Sequence, residues 1–205
     1  PDPAYTMLER AVDPRDLVSA LLSALQKRGV EMVTGESALK VLVEHGHAVG
    51  VLTNRASYAS PIVVNCAGAW AAQIAGATIP TLPVKGHMVA LAFPEELAMD
   101  SATREQKRVL RHVLRSRWCY IIPRSNGRYV VGSTVEPAGF DKSLNTYRVK
   151  QLQAAAARLI PQFAEAKIAE AWTGLRPGTP DNLPLLGATD TGGYFAATGH
   201  YRDGI

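Results

Sequence analysis

Three segments carry residue types whose chemistry goes beyond packing. The run Trp172-Thr173-Gly174-Leu175-Arg176-Pro177-Gly178-Thr179-Pro180-Asp181 sets an arginine at the end of an apolar stretch. A guanidinium buried there needs an anionic partner, because an unpaired buried charge is costly. Two readings stay open: a structural ion pair with an internal carboxylate, or a grip on the carboxylate of a bound small molecule through two parallel hydrogen bonds. The second segment, Val63-Val64-Asn65-Cys66-Ala67-Gly68-Ala69-Trp70, is an apolar run ending in small residues. Such an end lets a ligand or another backbone come close, and nucleotides bind at the C-terminal ends of strands in open α/β sheets. Ordinary strand-to-helix packing would use the same residues. The third, Gly199-His200-Tyr201-Arg202-Asp203-Gly204-Ile205, reads as a strand turning into the start of a helix. Free N–H groups at such a start hold anions. His200 reads there as a packing or hydrogen-bonding residue rather than a general base.

A basic stretch, Arg104, Lys107, Arg108, Arg111, His112, Arg115 and Arg117, raises the possibility of nucleic acid binding. The residues share no single helical face, and Val109, His112 and Leu114 interrupt strand alternation, so a solvated strand or loop accounts for them better. A non-enzymatic basic binding module is the reading this stretch would support.

The elements that must position these residues follow from periodicity. Asp13 as N-cap, Pro14 at the first helical position and Gly29 as stop define a helix from Asp13 to Arg28. Its Leu17, Leu21, Ala24 and Leu25 predict a buried stripe. Strands are expected at Val30–Val33, Leu39–Val43 and His47–Thr53, the last two as a hairpin, and at Ile62–Ala67, buried on both faces. A short helix follows at Ala69–Ala75. Further strands are read at Met88–Phe93, Trp118–Ile122, Arg128–Gly132, Ile168–Leu175 and Gly193–Thr198, with an amphipathic helix from Tyr147 to Ile160 stopped by Pro161. Cys66 and Cys119 both fall on predicted strands and read as buried.

With 205 residues the chain can bury a sizeable core, and its net charge of +4 favours small anions only mildly. No apolar run reaches the length needed to span a membrane. Two distant cysteines without histidine companions form neither a disulfide framework nor a metal site, and a reducing cytoplasm is the expected compartment.

Six motifs occur in order: NCAGAW, Pro83-Val84-Lys85-Gly86-His87-Met88, YIIPR (Tyr120–Arg124), YVVGST (Tyr129–Thr134), GLRPGTPDNLPLLG (Gly174–Gly187) and ATGHYRDGI (Ala197–Ile205). Together they resemble the D-amino-acid oxidase-like FAD-dependent oxidoreductase family, closest to its glycine oxidase branch of thiamine biosynthesis. The resemblance covers nearly the whole chain. The Gly-rich dinucleotide motif of that family, G-x-G-x-x-G, does not occur, so the sequence reads as a fragment without it.

The resemblance implies an α+β fold: an incomplete α/β-type FAD lobe and a substrate lobe with a mixed or antiparallel sheet and flanking helices. Residues 1–78 and 167–205 would belong to the FAD lobe and residues 79–166 to the substrate lobe. It implies FAD as cofactor and a small amino acid or amine as substrate, with no nucleic acid, no metal and no integral membrane segment, and leaves room for a homo-oligomer. By position, Arg176, Tyr120 and Arg202 resemble the substrate-binding residues. Ala38, His200, Tyr201, Arg202, Asp203, Gly204 and Ile205 resemble residues beside the cofactor, with Asp203 standing where glycine oxidases usually have Asn, and Gly68 would sit close to the cofactor by the strand-end argument. The implied reaction is hydride transfer from the substrate α-carbon to flavin, giving an imine, then oxoacid and ammonia, with peroxide from oxygen. No residue is assigned as a protein acid or base. Sarcosine, D-amino acids or a dehydrogenase acceptor are the alternatives within the family, and the isolated chain is expected to be inactive.

Overall fold

Strand β5 (Leu82–Ala92) organises the structure because two long ladders meet on it. The computed structural model describes residues 11–93, 109–202 and 204. β5 pairs antiparallel with β9 (Lys167–Gly178) from Leu82↔Gly178 to Ala92↔Lys167. On its other side lies β8 (Tyr129–Gly132), followed by β7 (Tyr120–Pro123) and the short edge strand β6 (Leu114–Arg115), giving the order β6-β7-β8-β5-β9. β9 runs on past the predicted Leu175 through Arg176 and Pro177. A proline fits there because, among the described residues, β9 is an edge strand and no further strand needs its N–H.

Alternation along these strands divides the sheet into two chemically different faces. Val89, Leu91, Ile121 and Val131 point to one side and are fully buried against α2 (Thr146–Leu159), chiefly on Val149, Leu152 and Ala156, and on Phe163. Burying each such side chain is worth about 1.5–3 kcal/mol. Truncating Ile121 to Ala would cost about 2–5 kcal/mol. α2 starts where Asn145 accepts hydrogen bonds from the N–H groups of Tyr147 and Arg148, and it stops before Pro161. The opposite face carries Gly86, Met88, Tyr120, Gly132, Gly174 and Arg176, the residues with chemical character.

Two smaller sheets complete the fold. β1 (Ala38–Glu44) and β2 (His47–Thr53) form a hairpin closed by His45 and Gly46, both with positive φ as a two-residue turn requires, and β3 (Ser57–Ala59) adds to β2. β4 (Val63–Asn65) pairs parallel with β11 (Tyr194–Thr198), whose other neighbour is β10 (Leu185–Ala188). A second core of Val41, Ala48, Ala71, Ile79, Tyr194 and Ala196 lies between them. The mixed helix-and-sheet class expected from the sequence is the one observed.

Four local expectations are corrected. Helix α1 (Pro14–Lys27) has its Asp13 cap and Pro14 start, but none of its residues is buried, and Leu21 is 54% exposed. No described element covers that face, so periodicity alone overstated its burial. Val30–Val33 forms no ladder, because among the described residues no strand lies beside it. β4 is shorter than predicted and not buried on both faces: Ile62 and Val64 are exposed while Asn65 is buried. Cys66, just beyond β4, is exposed, whereas Cys119 is buried, and burial pushes its thiol pKa up despite the hydrogen bond from Ser116.

Candidate functional site

Arg176 reaches across the open face of the sheet from β9 to the segment that leaves β8. Its guanidinium donates to the Thr134 carbonyl at 3.1 Å and to the Ser133 hydroxyl at 2.7 Å. It lies over Gly86, where any Cβ would collide with it. Only glycine leaves this room, and a glycine inside a strand is the sequence signal for such close approach. The carboxylate nearest in sequence, Asp181, is occupied in its own loop by the Thr179 hydroxyl and the Leu183 N–H. Among the described residues no carboxylate pairs with Arg176, so none of them supplies the structural ion pair that the sequence left open.

The electrostatics agree. Burial lowers the Arg176 pKa, Tyr120 opposes that, Arg202 adds to it by repulsion and Tyr201 opposes it, with a net depression. Two arginines and two tyrosines thus share one field. An anion placed among them would relieve both the desolvation and the repulsion. Of the five N–H donors of a guanidinium, the two bonds to Ser133 and Thr134 leave three for such a ligand.

Tyr120 stands on the same face, three strands away on β7. Its hydroxyl is directed at the Met88 sulfur, 3.2 Å away, and Gly132 makes room for both side chains. A thioether is a weak acceptor, so this hydroxyl can turn to a stronger one. Trp118 sits just before β7, half exposed, with Arg117 over its ring. It lines a cavity of about 270 Å³ with Ser133, Thr134, Glu136 and α2 residues, on the other side of the segment that holds Arg176. A second concavity on the outer face of α2, about 440 Å³, carries none of these residues.

The turn after β11 is tied to the arginine strand. Tyr201, with φ 48°, donates its N–H to the Pro177 carbonyl at 3.0 Å. Gly199 has φ 79°, and a Cβ there would lie 2.7 Å from Thr179 Cγ2. Thr198 donates its hydroxyl to the Gly68 carbonyl at 3.1 Å, joining the ends of β4 and β11. Because those strands are parallel, both C-terminal ends open to the same side, the arrangement that binds nucleotides at strand ends. Buried Asn65 shapes the turn: its side chain accepts from the Ala67 N–H and donates to the Ala71 carbonyl and the Tyr194 hydroxyl. Gly68 has φ 58°, and no atom lies within 4 Å of where its Cβ would be. That open approach at a strand end fits a flat cofactor.

The structure therefore brings together Arg176, Tyr120, Arg202, Tyr201, His200 and Gly68 at one edge of the fold. Ala38 stands apart, opening β1 in another sheet. Gly204 is exposed beyond the turn. Asp203 and Ile205, like Arg104, Lys107 and Arg108 of the basic stretch, lie outside the described residues. In that stretch Arg111 and His112 are exposed loop residues and Arg115 is an exposed residue of β6. Sequence reasoning missed Ser133, Thr134 and Met88 as parts of the site. Their only advance signal was the pair of strand glycines, Gly86 and Gly132, within quoted motifs.

A mixed fold in which parallel strand ends lie near an arginine that no described carboxylate pairs is of the class that suits a nucleotide cofactor. The chain belongs to the FAD dependent oxidoreductase family, whose model matches residues 4–205. It is 35% identical over 205 residues to a hydrogen cyanide synthase subunit HcnC of Pseudomonas aeruginosa, covering 97% of the chain and 46% of that protein. It is 36% identical over 194 residues to a bifunctional protein ThiO/ThiG of Synechocystis, covering 95% of the chain and 28% of that protein. The crystal structure of glycine oxidase from Geobacillus kaustophilus superposes with a TM-score of 0.80 at 30% identity, over 92% of this chain and 49% of that one. The chain thus spans half or less of the length of these relatives. Among the described residues no helix is long and apolar enough to cross a membrane.

Proposed function

We propose that the protein takes part in FAD-dependent oxidative deamination of glycine or a similarly small amino acid or amine, with Arg176 gripping the substrate carboxylate. The observation that carries this reading is a half-buried guanidinium with no carboxylate partner among the described residues, set beside Arg202 and Tyr120. Similarity to glycine oxidases supports the substrate class.

In this reading Arg176 holds the carboxylate with two parallel bonds, and Tyr120 turns its hydroxyl from Met88 to a carboxylate oxygen. Arg202 adds positive charge on the side of the β11 turn, while Gly68 and His200–Ile205 border the cofactor and Ala38 its more distant half. Bound FAD would supply the hydride acceptor, and the chain contributes orientation and electrostatics. No protein base is required once the amine is neutral.

The cyanide synthase relative favours a second reading in which cyanide, not an oxoacid, is the end product. The experiment is an assay of the full-length, FAD-loaded enzyme with glycine, sarcosine and several D-amino acids, following peroxide, ammonia and cyanide together. Peroxide and ammonia with glycine as the leading substrate support the first reading. Cyanide supports the second. Turnover that needs an artificial acceptor instead of oxygen removes the oxidase label, and no turnover with any of these carboxylates removes the assignment of Arg176.

A further inference from the structure

His87 is fully buried on β5, next to the glycine beneath Arg176, and the reading above gives it no role. Its ring is held from both sides. Nδ1 lies 2.9 Å from Glu136 Oε1 and 3.1 Å from Thr134 Oγ1, and Nε2 accepts the Asn145 N–H at 3.0 Å. Since a backbone N–H can only donate, the network assigns the ring proton to Nδ1. The His87 backbone N–H also donates to Thr134 Oγ1 at 2.9 Å, and that hydroxyl donates to Glu136 Oε1 at 2.6 Å. Arg148 holds the other Glu136 oxygen at 3.3 Å. Two residues before His87, buried Lys85 donates to Asp141 at 2.8 Å and reaches the Ser143 hydroxyl at 3.4 Å. The segment from Ser133 to Asn145 is therefore fastened to β5 at several points by buried polar groups. Its first two residues are the ones that hold the Arg176 guanidinium.

We propose that His87 is a positioning residue for Arg176: acting through Thr134 and Glu136, it fixes the Ser133 hydroxyl and Thr134 carbonyl that aim the guanidinium. Hydrogen bonds satisfied at every buried member of a network rigidify it, whereas a partly satisfied network loosens. The inference rests on the reading that Arg176 binds the substrate carboxylate, and it adds that a side chain remote from the substrate sets that affinity.

The test uses the full-length, FAD-loaded enzyme, labelled with 15N at histidine, with acetate as the carboxylate probe. Thr134→Val and His87→Phe should raise both the KM for the amino acid and the Kd for acetate by roughly tenfold, the scale of one lost hydrogen bond in a buried network. kcat at saturation should stay within about twofold, because the carboxylate grip is made equally in ground and transition states. Thr134→Ser, which keeps the hydroxyl, should restore both constants. The His87 imidazole signals, identified by their loss in His87→Phe, should report an Nδ1–H ring, and they should move on acetate binding in the parent but not in Thr134→Val. If Arg176→Lys weakens acetate while Thr134→Val leaves it unchanged, the positioning role is overturned and the grip stands. If Arg176→Lys also leaves acetate binding unchanged, both fall. Should His87→Phe fail to fold, Thr134→Val against Thr134→Ser decides.

Discussion

The Arg176 guanidinium occupies the space that a Cβ on Gly86 would fill, one strand over and two residues out of register. The contact is with the far end of a flexible side chain, so a small residue at 86 would move the arginine, not break the sheet. Gly86→Ala should therefore keep the fold and raise the substrate KM. Circular dichroism and the thermal midpoint should stay near those of the parent while KM rises by about tenfold or more, the cost of a misplaced charge-assisted bond. A large fall in the thermal midpoint with normal KM would contradict the arrangement.

Removing the arginine itself should cost more. If Arg176 grips the substrate carboxylate as proposed, Arg176→Ala leaves that carboxylate without its partner, a loss of about 3–5 kcal/mol for a buried pair. Arg176→Lys should recover only part of this, because an ammonium cannot make two parallel bonds. Steady-state kinetics read both, and an unchanged KM in either variant would dismiss the carboxylate role.

Tyr120→Phe separates the substrate from the fold. Among the described residues the hydroxyl bonds to the Met88 sulfur, a weak acceptor, so stability should hardly change. If it turns to the carboxylate, substrate affinity should fall by about 1.5–3 kcal/mol, the range for a hydrogen bond to a charged group. Equal losses of stability and affinity would point to a purely structural tyrosine.

Acid should loosen the segment from Ser133 to Asn145. Asp141 is held well below the usual carboxylate range by the hydrogen bond from Lys85, then by the Ser143 N–H and hydroxyl. For Glu136, burial alone would raise the pKa, but the Thr134 hydroxyl, His87 and Arg148 outweigh it and lower it. Depressed carboxylates contribute stability that is complete above their unfolded pKa, about 4, and that is lost as pH falls toward the folded value. Asp141→Asn should consequently lower the thermal midpoint most at about pH 6 and least well below pH 4. A difference that stays constant with pH would mean that Asp141 acts without its charge.

The sequence by itself determined the local starts and stops. Asp13 and Pro14 began α1, Pro161 ended α2, and Gly46 helped close the β1–β2 hairpin, because caps and turns depend on residues only a few positions apart. It also supplied the motifs that carry the family, and it singled out Arg176 as a charge in need of a partner. Burial was another matter. The leucines of α1 and the valines of 30–33 carry the right types, yet burial depends on which surface lies opposite, and spacing contains no information about that.

The partner question for Arg176 was likewise decided only by tertiary structure. Asp181, five residues along the chain, is turned to its own loop, and the groups that hold the guanidinium come from the end of β8, more than 40 positions away. The register of β5 against β8 and β9 puts Gly86 beneath the arginine and brings Gly132 beside Met88 and Tyr120. Antiparallel pairing turns separations of tens of residues into contacts, so the composition of each motif was legible but their meeting on one face was not.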